Sequence, residues 1–349
     1  MKTITIRNNR DLEKINYFSD KEICYFFRNI KIDDLCPTPK NAIFSFEKCD
    51  IRSIKGTATI GTIENCRIIS IDGAVKIKSI GKRTSIENIT GNVKIALIKD
   101  RVKIFSIGNE CKIDRITDNV IIKFLLGKAM VKSICGKVII ESFCGNAKIK
   151  YAYENASIES MNGLSAINET FDNVIIWKME GKSKINKMYD CSRIFKMESG
   201  IINLMKDHTR INEVSGTVKI KKMTGSANIL NLSGLAKVNE MSIDASIKSV
   251  FGNSRVKSMI DCAKIGKMSN SAMVYSMKEN AKIETMANLS HVLNMENGVI
   301  NLMEGDSRVV NFKKGEIINI KDFATALNKK EKYIIGKEGK VYLEKLQGN

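Results

Sequence analysis

The chain has 349 residues, 43% hydrophobic and 27% charged, with 57 Lys and Arg against 38 Asp and Glu, so its net charge is +19. Nine cysteines are an odd number with no CxxC pair and no histidine at zinc-ligand spacing, which argues against a disulfide framework or a zinc site. No apolar run approaches the length of a transmembrane helix or of a signal peptide.

Reduced thiols without an export signal lead to the expectation of a cytoplasmic or virion-associated protein. The excess of base makes an anionic partner physically reasonable, whether nucleic acid, acidic lipid or acidic polysaccharide. The plainer reading is that lysine keeps a long, Ile-rich surface soluble.

Residues 1–40 differ from the rest. TITIR is followed by NNRDLEKINYF, where Asn and Asp stand at a helix start, and by the aromatics Tyr17, Phe18, Tyr25, Phe26 and Phe27. The only two prolines, Pro37 and Pro39, close this stretch. It is expected to be an N-terminal cap, because an open stack of strands exposes an edge that must be covered.

From Ile68 to Ile194 an Ile or Val returns every nine residues, through Ile77, Ile95, Ile113, Val131, Ile149 and Ile167. One eight-residue step leads to Ile202, and the series then resumes as far as Val292, with two further short steps near Ile300 and Ile317. Two residues before each Ile stands a small or β-branched residue such as Val93, Cys111, Ala129 or Ala147. A spacing of two belongs to a strand. Three residues after the Ile comes a second large apolar residue, Ile80, Ile98 or Ile116 early and a run of methionines from Met161 to Met303 later. Two beyond that stands Gly, Asn or Asp, as at Gly91, Asn109 and Asp172, which marks a corner of positive φ.

Nine is a poor helical period, because it would place successive isoleucines on opposite helix faces. Strands this short, with a corner in every unit, can pair only with the equivalent strand one coil away. The fold class expected over residues 41–320 is therefore all-β, a parallel β-solenoid. Coil size is read from the basic residue that precedes the Ile. Lys76, Lys94, Lys112, Lys148 and Lys184 share one 18-residue register, and Lys219, Lys237 and Arg255 continue it after the short step. This favours two units per coil, with a 27-residue, three-unit coil as the alternative. Residues 321–349 end in KYIIGKEGKVYLEKL, which reads as a capping hairpin with Tyr333 to Ile335 and Val341 to Leu343 about the turn GKEG.

Chemistry-bearing motifs are few. The chain resembles calcium-binding nonapeptide rolls in period only, since GGxG is absent. The methionine run fits core packing better than soft-metal binding, because Ile fills the same slot earlier at the same spacing. His208 and His291 have no nucleophile at a recognisable distance, and no phosphate-loop, zinc-protease or nucleophile-elbow motif occurs. Neither a cofactor nor a metal is expected, and the protein reads as non-enzymatic. The eight basic residues are the candidate polyanion-binding set, a row of charges about 4.8 Å apart. No aromatic platform is interleaved with them in the sequence.

The phrases GNAKIKYAYENASIESM and ENAKIETMANLSHVLNM resemble the GNAxI-type nonapeptide-repeat proteins of bacteriophages and gut Firmicutes, over about residues 50–320. That resemblance implies a β-solenoid of phage or Firmicute origin and brings no catalytic residue with it. The methionine-rich second half and the eight-residue steps depart from the more regular members. Two roles follow as expectations. One is a structural or protein-interaction rod that binds a partner protein or its own copies, and the other is a polyanion binder working through the lysine face.

Overall fold

The computed structural model describes residues 2–15, 22–35, 42–327, 333–335 and 341–343. It divides into two compact units, Met1–Trp177 and Lys178–Asn349. Each is a parallel β-solenoid of 18-residue coils.

In the first unit Lys76–Gly81 pairs with Lys94–Ile98, which pairs with Lys112–Ile116, then Met130–Ile134 and Lys148–Ala152. The register runs Ile77, Ile95, Ile113, Val131, Ile149, so each residue lies over its equivalent 18 positions away. The strands between them, from Arg67–Ile71 through Ser85–Ile89, Lys103–Ile107 and Ile121–Leu125 to Ile139–Phe143, form a second ladder with the same offset. A coil is thus two nine-residue units, one in each ladder, and no three-unit coil occurs among the described residues.

The repeat positions go where strand periodicity sends them. From Ile68 to Ile300 every Ile or Val of the series is buried, as are the slots two before and three after it, whereas the residues one before and one after face outward; further on, Phe312 and Ile317 are half-buried and Gly315 is exposed. Each buried Ile contributes about 1.5–3 kcal/mol. Where the second large slot shrinks to Ala152, the preceding strand carries the larger Phe143, and both are fully buried. Of the serines in the small slot, Ser183, Ser192 and Ser254 donate to the corner carbonyls of Glu180, Tyr189 and Phe251 at 2.7, 2.8 and 2.7 Å, whereas the buried hydroxyls of Ser165, Ser290 and Ser307 have no hydrogen-bond partner among the described residues.

The ladder extends into the N-terminal stretch. Lys2–Ile6 pairs in parallel with Ile23–Arg28, which pairs with Ala42–Glu47. A 3-10 helix, Asn9–Lys14, follows the first strand and starts at Asn8, whose side chain accepts from the Asp11 N–H. Tyr25 and Phe27 turn inward and stack on Phe44 and Phe46, with ring centroids 5.0–5.8 Å apart. Phe26 is half-buried on the outer side, and Tyr17, Phe18, Pro37 and Pro39 lie outside the described residues.

In the second unit Lys184–Met188 pairs with 201–205, then 219–223, Lys237–Met241, Arg255–Met259 and onward to Arg308–Phe312. The buried methionines occupy the slot that isoleucine fills in the first unit. Each eight-residue step deletes a corner residue. The small slot then holds a glycine of positive φ, namely Gly200 (109°), Gly298 (136°) or Gly315 (126°). At the first step the corner vanishes, and Arg193–Met205 runs as one 13-residue strand through both ladders. In the tail, Tyr333–Ile335 and Val341–Leu343 pair antiparallel as expected, while the GKEG turn lies outside the described residues.

Four substitutions test this construction. Ile149→Asp, which buries an unpaired carboxylate between stacked coils, is expected to cost about 4 kcal/mol or to abolish folding, whereas Lys148→Glu changes the urea midpoint little. Gly298→Val is expected to destabilise strongly, since its Cβ would stand 2.7 Å from the Ala281 carbonyl oxygen and 2.9 Å from Met277 Cε. Ile243 sits at a corner with φ 59°, a conformation that β-branched residues avoid. Ile243→Gly is therefore expected to raise stability by about 1 kcal/mol in thermal or urea unfolding.

Candidate polyanion-binding face

All eight basic residues singled out in the sequence are exposed. The structure divides them into two groups. In the first unit Lys76, Lys94 and Lys112 are consecutive rungs of one ladder, and Met130 separates them from Lys148. In the second unit Lys219, Lys237 and Arg255 are consecutive, while Lys184 stands beside Ile201. None of the eight is ion-paired among the described residues. Other lysines are, such as Lys222 with Glu240 at 2.7 Å, Lys196 with Glu198 at 2.7 Å and Lys278 with Glu296 at 3.1 Å.

The two ladders of the first unit differ sharply in charge. The strands from Lys76–Gly81 to Lys148–Ala152 present Lys76, Lys78, Lys94, Lys112, Arg115, Lys132, Lys148 and Lys150 against the single acid Asp114. The opposite ladder, from Arg67–Ile71 to Ser157–Met161, balances Arg67, Lys103 and Lys123 with Glu87, Glu141 and Glu159. The position before the Ile does not mark Lys78, Arg115, Lys132 and Lys150, which stand at the two outward positions after it and join the same face. A shallow open groove runs along this face, lined by Thr59, Lys76, Lys78, Lys94, Lys112 and Asp114. Like charges one rung apart repel, so an anion laid along the row relieves that repulsion.

The sequence also conceals an aromatic group at the far end of this row. Tyr151 and Tyr153 have ring centroids 5.9 Å apart, and Tyr153 stacks on Phe171 at 5.2 Å with planes 12° apart. Lys150 Nζ stands 4.8 Å from the Tyr151 ring. The opposite ladder carries apolar side chains instead: Phe105, 49% exposed, meets Phe124 edge-on at 5.3 Å, and Ile121 lies over Ile139.

The corner acids have a structural use. A carboxylate oxygen of Asp172 accepts from the Glu154 N–H at 3.0 Å, Asp261 from Ile243 at 3.1 Å, and Asp322 from Gly305 at 3.0 Å. Each acid thus caps the corner one coil before it. No three His, Cys, Asp or Glu side chains converge as a metal site among the described residues. His208 is exposed, and His291 takes a rung between Met273 and Arg308. No helix among the described residues is long and apolar enough to cross a membrane. Comparison with protein-family models, curated proteins and solved structures gives no match.

Cys66 and Cys111 occupy the small inward slot and are buried, whereas Cys191 and Cys262 are exposed. Burial pushes the Cys111 thiol up to about 11. In the native protein at about pH 8, iodoacetamide is expected to modify Cys191 and Cys262 and to spare Cys66 and Cys111. Mass spectrometry of the digested adducts reads the result. The Cys111 contribution to stability is complete below its ordinary value of 9.0 and is lost as pH rises through about 11. The difference in urea midpoint between the wild type and Cys111→Ala is expected to move in that direction over that window.

Proposed function

We propose that the protein is a non-enzymatic β-solenoid scaffold that engages its partners along the faces of its coils. The observation that supports this is the in-register repetition of outward side chains, which turns each ladder into a continuous flat row. The concavities along the first-unit faces are shallow, open grooves, and the corners are too short to build a catalytic cleft. The partner is a second protein or another copy of the chain. The apolar row of Phe105, Phe124, Ile121 and Ile139 offers it a contact surface. The repeat resemblance adds phage or Firmicute origin to this reading. Sedimentation at increasing concentration is the test. A stable oligomer, a filament or a stoichiometric protein complex that is lost in Phe105→Ser is the expected result, and a protein that stays monomeric and binds no protein overturns it.

A second reading, polyanion binding, is favoured by the charge asymmetry between the two ladders of the first unit. Phosphate, sulfate or carboxylate groups laid along Lys76, Lys94 and Lys112 would release counterions and bind with a steep salt dependence. Retention on heparin at about 0.3 M salt, lost in the triple variant Lys76→Glu, Lys94→Glu, Lys112→Glu, is the expected outcome. Equal retention of variant and wild type removes this face from consideration.

A further inference from the structure

We infer that the basic ladder of the first unit is a binding track for single-stranded nucleic acid, with phosphates on the lysine row and bases on the aromatic group at its end. The inference rests on the polyanion reading and specifies its ligand.

Three observations combine. Lys76, Lys94 and Lys112 occupy consecutive rungs, so their ammonium groups follow a line with a charge about every 4.8 Å. The line continues past Met130 to Lys148, which lies one rung further along the ladder. Met130 is 41% exposed and presents a thioether rather than a charge, an apolar surface within the row.

At the end of the line stands the aromatic group. Tyr151 is in the same strand as Lys148, and Tyr153 follows at the corner and stacks on Phe171. From the strand of Lys76 to that of Tyr151 is four rungs, about 19 Å. A densely sulfated polysaccharide engages the lysines through its charges, and its sulfated rings offer the tyrosines beside them no π-face to stack on. A duplex hides its bases within the stack and exposes mainly phosphates on its outside. Unpaired bases have free π-faces, and the pairing of an electrostatic groove with aromatic side chains is the physical basis of sequence-tolerant single-strand binding. The Lys150 ammonium near the Tyr151 ring places a cation where a phosphate next to a stacked base would lie.

The neighbouring coils supply conservative tests. Ser133 and Tyr151 are register partners, so Tyr151→Ser installs a residue that the adjacent coil already carries there. Thr117 holds the position of Tyr153 two coils earlier, which makes Tyr153→Thr the companion change. Circular dichroism of both variants confirms folding before binding is read.

The probes are a fluorescent oligothymidylate of about sixteen nucleotides, its duplex with oligoadenylate, and dextran sulfate. The full chain is expected to bind the single strand in preference to the duplex, with a salt slope near −3, as about four phosphate contacts give. Lys76→Glu, Lys94→Glu, Lys112→Glu is expected to lose at least about a hundredfold in affinity for oligothymidylate and dextran sulfate alike. Tyr151→Ser with Tyr153→Thr is expected to lose about tenfold for oligothymidylate and to leave dextran sulfate unchanged. If the tyrosine variant binds both probes as the wild type does, or loses both equally, the nucleic-acid assignment is overturned while the polyanion reading stands. If charge reversal changes neither probe, both fall.

Discussion

The stacking of each strand on its counterpart 18 residues away, through parallel backbone hydrogen bonds, is the constraint on which everything else depends. A five-residue strand between two corners has no partner within its own unit, so its N–H and C=O groups are satisfied only by the coils before and after. Stacking of that kind forces like onto like. An inward Ile meets an Ile, a corner of positive φ meets another such corner, and an outward Lys meets whatever the same slot holds one coil on. The apolar rows gain from this, because identical side chains of one rotamer nest into a continuous core. The charged rows lose by it, and in some places the chain offsets the loss with an acid, as Glu240 does for Lys222. Along Lys76, Lys94 and Lys112, and along Lys219, Lys237 and Arg255, it does not.

The same constraint explains what was readable in the residues and what was not. The nine-residue period, the inward slots and the positive-φ corners were legible because each rests on a residue type that recurs at a fixed offset. The coil size was legible only through an imperfect basic register, in which Met130, Ala166 and Ile201 break the series. Relations that depend on one particular pair of rungs were hidden. Nothing in the spacing of Tyr151, Tyr153 and Phe171 announces a ring stack until the 18-residue offset is known. The use of Asp172, Asp261 and Asp322 as acceptors for the previous corner was likewise masked, since their tolerance of positive φ already accounted for their presence. At the N-terminal end Ile23, Tyr25 and Phe27 alternate as a strand should, but their 19-residue offset from Ala42, Phe44 and Phe46 falls outside the nine-residue period.

The methionine slots show how the core changes character without changing geometry. In the first unit β-branched isoleucines fill most of the large positions and hold those rungs rigidly. In the second unit unbranched thioethers fill one of them, and the short steps place Gly200, Gly298 and Gly315 against the methyl ends of Met179, Met277 and Met295. A flexible side chain adapts to the displaced backbone at a shortened corner, where a β-branched one would clash. In the second unit the short steps and the methionine run therefore go together, whereas the eight-residue step from Ile60 to Ile68 in the first unit is made with Cys66 in the small slot.

Because a coil holds two units and the two ladders carry different chemistry, the repeat has a parity. Duplication or loss of a single nine-residue unit keeps every inward side chain inward, so the core tolerates it. It nevertheless sends every later unit to the opposite side, dispersing the lysines among Phe105, Glu141 and their neighbours. Only changes by eighteen residues preserve both faces. Length variants that arise by unit exchange are thus free to fold in either parity, and selection on the surface alone distinguishes the even from the odd.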